Sequence, residues 1–354
     1  MANWLQCSRR IKASTCPLRW YKLHVRRTAA RVPPSGTAGA AWCAAFSGTV
    51  RPRSTIATPR DAGSTETFSS MKRIAITGAA GLVGTGLRAQ LLKRGYRVLS
   101  LDIKQVQNIA AHEEAAVVDI TDQAAMTQQL QGCDAVVHLA ACTTDAPWTE
   151  QVKLSVEGCI SVFDAARDAG VRRVVYASSH HVVGMHPRVP HGPRMGNTAI
   201  LRPDSRYAVG KAFGESIGAL YAYKYGMQVL SVRIGNVNTR PIDRRRMGSW
   251  VSWRDLAQLV AIGIEREDLV FEIVYGVSDA TGRHYNNAAA YALGYLPEDG
   301  SEGWDDEVLR EDPPPAAGSK AARSAAEITL GGQFSQSEYE GSTDRLLPHA
   351  RNAA

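Results

Sequence analysis

The sequence predicts an α/β domain over residues 71–340: a doubly wound parallel sheet with helices on both faces and a small C-terminal cap. Two observations carry this. From Met71 onward, short apolar runs alternate with helix-length stretches. Several runs, such as Ala135-Val136-Val137, are continuously apolar, as suits strands buried on both faces of a parallel sheet. No internal repeat interrupts the pattern, and no apolar run approaches the roughly 20 residues that span a bilayer.

In chain order, residues 72–77 read as the first strand and 82–94 as the first helix. A second strand, 97–102, ends on a carboxylate, and a third, 115–118, precedes a helix starting at Asp122. The fourth strand is 135–139, followed by a long helix over 150–168 and a fifth strand over 173–177. Residues 204–225 read as a helix and 228–234 as a sixth strand. Beyond it the pattern loosens. A helix over 253–265, a strand over 270–274 and the run Pro313-Pro314-Pro315 are assigned to a cap, mainly from 236–340, over the carboxyl edge of the sheet. Residues 341–354 read as a disordered tail.

The formal net charge of +7 is unevenly placed. Residues 1–70 hold 11 Lys/Arg and 2 Asp/Glu, whereas 71–354 hold 30 and 32. The domain therefore gives no electrostatic reason to expect nucleic acid, and no membrane partner is expected either. Residues 1–60 lack Asp and Glu entirely and are rich in Arg, Ala, Ser and Thr, the composition of a transit segment. They also fit a stretch upstream of a natural start at Met71. On either reading disorder is expected before about residue 70, because the apolar periodicity is too weak to offset ordering entropy. Of six cysteines, Cys133, Cys142 and Cys159 lie in the domain and none forms a CxxC pair. A reduced, cytoplasmic setting is expected, or a mitochondrial one if the basic segment is a transit peptide.

The first strand runs into Thr77-Gly78-Ala79-Ala80-Gly81-Leu82-Val83-Gly84. Glycines spaced by three allow a tight turn and bring backbone N–H groups to a pyrophosphate, and the next helix points its positive end at that anion. Placed between a strand and a helix, this is a Rossmann dinucleotide fingerprint. Asp102, 18 residues after Gly84, is spaced to bond ribose hydroxyls and to repel a 2′-phosphate, which predicts NAD rather than NADP. Asp119 and Ile120 are expected to meet the adenine. Leu139, Ala140 and Ala141 are small or apolar where backbone must pass close to the cofactor.

Tyr207 and Lys211 are four apart near the start of a helix and share a face, and Ser179 lies 28 residues before Tyr207. Oxidising a carbinol by hydride loss needs a base for the hydroxyl proton. A phenol of ordinary pKa near 10 is too weak at neutral pH, and a nearby ammonium favours the phenolate. Lys211 is expected to supply that ammonium and to hold the nicotinamide ribose, and Ser179 to orient the reacting oxygen.

These residues resemble the extended short-chain dehydrogenase/reductase family of NAD-dependent epimerases and dehydratases. Further segments are similar to its uronate dehydrogenases: residues 177–184, Val232-Arg233-Ile234-Gly235-Asn236, Arg246-Met247, Ser252-Trp253-Arg254-Asp255 and Leu330-Gly331-Gly332-Gln333-Phe334. The resemblance implies oxidation of a uronate at C1 to an aldarolactone with NAD. It further implies that Arg246 binds the substrate carboxylate and that Thr143, Ser179, His180, His181 and Asn236 line the sugar site. His180 stands where the family more often has asparagine, and Asn236 where it has a small hydroxyl residue. The run Arg244-Arg245-Arg246 leaves the anchor open by one or two positions. About 120 residues follow the sixth strand, which favours a small free sugar acid over a nucleotide sugar. Alternatives are a nucleotide-sugar epimerase or dehydratase that retains NAD, a neutral-aldose dehydrogenase, and a cofactor-sensing regulator. His180, His181, His186 and His191 fit no metal-ligand spacing, so no metal is expected. Oligomeric state is left open.

Overall fold

A computed structural model describes residues 71–280 and 284–347. The expected disorder of residues 1–70 and of 348–354 lies outside the described residues. In chain order the elements are β1 (Arg73–Thr77), α1 (Leu82–Lys93), β2 (Arg97–Asp102), β3 (Glu113–Val117), α2 (Gln123–Leu130) and β4 (Ala135–His138). Next come α3 (Trp148–Gln151), a π-helical turn (Val152–Glu157), α4 (Gly158–Asp168), β5 (Arg173–Ser179), a 3₁₀ turn (His180–Val183), α5 (Arg206–Tyr225) and β6 (Gln228–Ile234). The remainder comprises β7 (Asn236–Val237), α6 (Arg244–Met247), β8 (Trp250–Val251), α7 (Trp253–Glu265), β9 (Phe271–Gly276), α8 (Ala288–Ala292), α9 (Asp305–Glu311), α10 (Ala325–Ile328) and α11 (Gln333–Gln336).

Seven strands form one parallel sheet in the order β3-β2-β1-β4-β5-β6-β9. The order reverses between β1 and β4, the crevice where such sheets bind ligands outside their carboxyl ends. Two apolar layers sandwich the sheet. On one face Leu87 and Leu91 of α1 and Leu256, Leu259, Val260 and Ile264 of α7 pack on Ile74, Ile76, Val175 and Leu230. On the other, Met126, Leu130, Val162, Phe163 and Tyr221 cover Leu99, Val136, Val174 and Val229. Both faces of every central strand are therefore dry, which explains the unbroken apolar runs.

The structure differs from the sequence expectation at several elements. The helix α7 and the strand after it were assigned to the cap, but α7 packs on the sheet and β9 pairs with β6 as the seventh strand. Helix α7 and strand β9 therefore belong to the sheet layers and not to a cap. The helix expected over 150–168 begins at Trp148 and is broken by the π-helical turn. Strand β5 continues two residues further, through Ser178 and Ser179, because both still pair with β6. The helix expected from Asp204 begins at Arg206, since Ser205 caps it by accepting from the Ala208 N–H. The tail beyond 341 includes a 3₁₀ turn at Thr343–Arg345.

Candidate active site

At the carboxyl edge of the sheet lies a cavity of about 810 Å³, of the size that takes small ligands. One end is the β1–α1 turn. Gly78 has φ of +73°, and a Cβ there would lie 2.8 Å from the Ala140 nitrogen. A Cβ on Gly84 would lie 2.4 Å from the Gly78 oxygen. The turn is thus drawn tight against its own helix and against the end of β4. Helix α1 has no side-chain cap and no acid in its first turn. Its leading N–H groups remain for an anion, and Gly81, Leu82, Val83 and Gly84 all line the cavity. This fits a dinucleotide pyrophosphate.

Asp102 ends β2 and does not line the cavity. Its carboxylate accepts from the Ala80 and Lys104 N–H groups, both at 2.9 Å, so it buttresses the glycine turn. Asp119 and Ile120, expected at the adenine, follow β3 and do not line the cavity. Asp119 accepts from the N–H and hydroxyl of Thr121 at 2.9 Å each, which holds its carboxyl below the usual range. Ile120 is a buried core residue packed against Gly158. Leu139 lines the cavity; Ala140 and Ala141 do not. Ala140 instead covers Gly78, its N–H donating to the Thr77 hydroxyl at 3.3 Å.

The middle of the cavity holds Ser179, Tyr207 and Lys211. Ser179 ends β5; the other two occupy the first turns of α5. The Lys211 Nζ donates to the Ala177 carbonyl at 2.6 Å and sits 5.9 Å from the Tyr207 ring centre. Burial lowers the Lys211 ammonium to about 8. Burial also pushes the Tyr207 phenol up to about 12, with the Ser179 hydroxyl acting against that rise and the Asp204 carboxylate adding to it. Burial is the largest of these influences on the phenol.

The far end is cationic. Arg188, Arg244, Arg245 and Arg246 line it with Asp243, Asp312 and Glu327. The Arg244 guanidinium meets Glu327 at 2.9 Å and Asp312 at 3.5 Å, and Arg188 meets Glu327 at 2.6 Å. Arg246, the expected carboxylate anchor, pairs with Asp243 at 2.6 Å one helical turn earlier. Arg245 has no carboxylate within ion-pair reach among the described residues. It donates to the Leu330 carbonyl at 3.1 Å and lies against Gly332. Burial holds its guanidinium below the ordinary range. Of the three arginines, Arg245 is thus the one without a carboxylate partner among the described residues, while Arg246 keeps a buried Nε without a hydrogen-bond partner there.

Thr143, His180, His181 and Asn236 also line the cavity. His180 is kept neutral by burial, well below 6.5, and its Nδ1 is 3.0 Å from the Tyr285 hydroxyl. His186 bonds the Ile200 carbonyl at 2.8 Å instead of facing the cavity. Among the described residues no group of three or more His, Cys, Asp or Glu is arranged to hold a metal. No described helix is long and apolar enough to cross a membrane.

A profile of the NAD-dependent epimerase/dehydratase family matches residues 74–252. The chain belongs to that family. Among its members, a uronate dehydrogenase from Pseudomonas syringae pv. tomato is 34% identical over 241 residues, 67% of this chain and 85% of its own. Two solved structures superpose over the domain. Glucuronic acid dehydrogenase from Chromohalobacter salexigens gives a TM-score of 0.70 at 32% identity, covering 77% of this chain and 99% of that one. A variant uronate dehydrogenase from Agrobacterium tumefaciens, complexed with NAD, gives 0.69 at 29%, covering 75% and 97%.

Sequence reasoning left the anchor open within Arg244-Arg245-Arg246 and missed Arg188 and Glu327 as cavity residues. No local signal marks them, since their pairing joins segments more than 80 residues apart. Phe334 was missed as a site residue although its segment stood out. Its ring lies tilted 4.5 Å from that of His181 and 6.1 Å from that of Tyr207 and lines the cavity.

Proposed function

We propose that the protein oxidises a uronate at C1 to an aldarolactone, with NAD as hydride acceptor. The observation that carries this is Arg245: a recessed guanidinium without a carboxylate partner, in the same cavity as Ser179, Tyr207 and Lys211. A planar guanidinium matches a carboxylate bidentately, and a neutral sugar would leave it unpaired. The relatives named uronate dehydrogenase support the same substrate class.

Bound NAD would supply the two-electron acceptor at its nicotinamide. The residues of this chain do the rest. The amides opening α1 hold the pyrophosphate, and Asp102 stiffens the turn that presents them. Lys211 meets the nicotinamide ribose. The Ser179 hydroxyl orients the C1 oxygen toward Tyr207, which accepts the C1 hydroxyl proton as the C1–H bond gives up its hydride and the lactone carbonyl forms. At neutral pH Lys211 keeps its proton, and that ammonium beside the ring favours the phenolate of Tyr207, which takes the C1 hydroxyl proton and is neutralised by it. Phe334 and the C-terminal segment keep water from that charge.

The test is NADH formation with galacturonate and glucuronate against galactose, glucose and xylose. Turnover of the uronates should fall by roughly 100-fold or more in kcat/KM in Arg245→Ala and by less than about 10-fold in Arg246→Ala. Turnover confined to neutral sugars, or equal loss in both variants, would remove Arg245 as the anchor.

A further inference from the structure

We propose that Asp204 is a positioning residue: it fixes the tautomer of His181 and so makes that ring a hydrogen-bond acceptor for the sugar hydroxyl next to the reacting carbinol. This rests on the dehydrogenase reading above. His181 lies two residues past Ser179, the end of the active-site strand, and its backbone N–H donates to the Ser179 hydroxyl oxygen at 3.2 Å. Its Nδ1 lies 2.6 Å from Oδ2 of Asp204. A carboxylate only accepts, so the shared proton sits on Nδ1, and in the neutral ring Nε2 presents a lone pair.

The geometry says where that lone pair faces. The Asp204 side chain is fully buried, whereas His181 retains 11% exposure and lines the cavity. With the Nδ1 edge sealed against Asp204, the open part of the ring is the opposite edge. Phe334 at 4.5 Å and Tyr207 edge-on at 6.0 Å fix the ring plane. A group reaching Nε2 is therefore a neighbour of the oxygen held by Ser179 and Tyr207. In a cyclic sugar the nearest such group is the hydroxyl on the adjacent carbon.

The fold makes room for this carboxylate. A Cβ on Gly184 would lie 1.9 Å from Asp204 Oδ2, and one on Gly331 would lie 1.8 Å from it. The Ser205 hydroxyl donates to the other oxygen at 2.9 Å. As a neighbour of the base, Asp204 is a handicap, since its charge pushes the Tyr207 phenol upward. Its pairing with His181 is the contact that its placement serves.

The test compares glucuronate with its 2-deoxy analogue in the full chain. The wild type should lose about 10-fold or more in kcat/KM on the deoxy acid. Asp204→Asn offers the ring an amide that can donate, which frees the other tautomer. It should lose about 10–100-fold on glucuronate, with the two acids falling within about 2-fold of each other. A purely structural role would lower both substrates alike and keep their ratio, which would overturn the proposal. Nitrogen-15 NMR of the His181 ring, assigned by its loss in His181→Ala, reads the tautomer without turnover. With NADH bound, the wild type should show Nδ1–H, with an Nε2 resonance that moves on adding glucuronate and not on adding the deoxy acid. Asp204→Asn should lose the Nδ1–H form. An Nε2–H ring in the wild type, or an Nε2 resonance indifferent to the hydroxyl, would refute the assignment. If no uronate is oxidised but the NMR result holds, the oxidation reading fails and the Asp204–His181 assignment survives.

Discussion

The Tyr207 phenol and the Lys211 ammonium are both moved by burial toward their neutral forms, one to about 12 and the other to about 8. Such a pair is unfavourable in the resting fold and useful only when charge moves. Tyr207→Phe removes the proton acceptor and leaves the cavity shape. It should lower kcat by about 10²–10⁴-fold while NADH affinity, read by fluorescence titration, stays within a few-fold. Lys211→Met separates function from stability. The folded pKa of Lys211 lies below its ordinary 10.5, so between pH 8 and 10.5 the unfolded chain binds more protons than the folded one and stability rises with pH. The full penalty for the buried ammonium applies below pH 8. The methionine variant should therefore be inactive yet more stable than the wild type at pH 7, on the order of 1–3 kcal/mol, with the gain shrinking toward pH 10.5. Urea unfolding at both pH values measures it, and a less stable variant at pH 7 would mean that the Ala177 hydrogen bond outweighs desolvation.

The β1–turn–α1 unit shows what a sequence can display. Its glycines, the strand before it and the helix after it are contiguous, so the anion site is legible as a local pattern. Gly84→Ala tests it: the added methyl would lie 2.4 Å from the Gly78 oxygen and 2.7 Å from the Ala79 Cα, both backbone atoms. The turn must open. NADH affinity should fall by about 10-fold or more, while the distant Tyr207–Lys211 geometry keeps kcat at saturating NAD within a few-fold. Unchanged affinity would remove the turn as the pyrophosphate site. Elsewhere local pattern misled. The strand β9 was read as cap because the sequence thins into loops before it, yet its partner β6 is set by register across the sheet. The Ile120 side chain packs in the core against Gly158, which the spacing alone did not show. Within Arg244-Arg245-Arg246 the side chains are chemically identical. Only Asp243, Asp312 and Glu327, the last two brought from 68 and 83 residues away, decide which one is left free.

Across the whole molecule, the domain nearly balances its charges, so pH acts on stability mainly through groups that the fold buries. Three histidines are held neutral inside it. Burial lowers His138 to about 3 and His284 to about 4, and holds His180 well below 6.5. His138 ends β4, opposite Thr77 of β1, with its Nδ1 2.8 Å from the Thr77 hydroxyl, just before the cofactor turn. The sign follows from proton counts. Between pH 6.5 and the folded values, the unfolded chain carries protons that the folded chain refuses, so stability is lost as pH falls through that window. One such histidine contributes about 2 kcal/mol to the stability difference between pH 7 and pH 5. Replacing His138 with Gln, or His284 with Gln, should shrink that difference by about this amount each, whatever the packing change does to stability at pH 7. Urea unfolding at the two pH values in wild type and variants measures it. A difference that survives both substitutions would assign the acid sensitivity to His180, the third histidine that burial holds neutral.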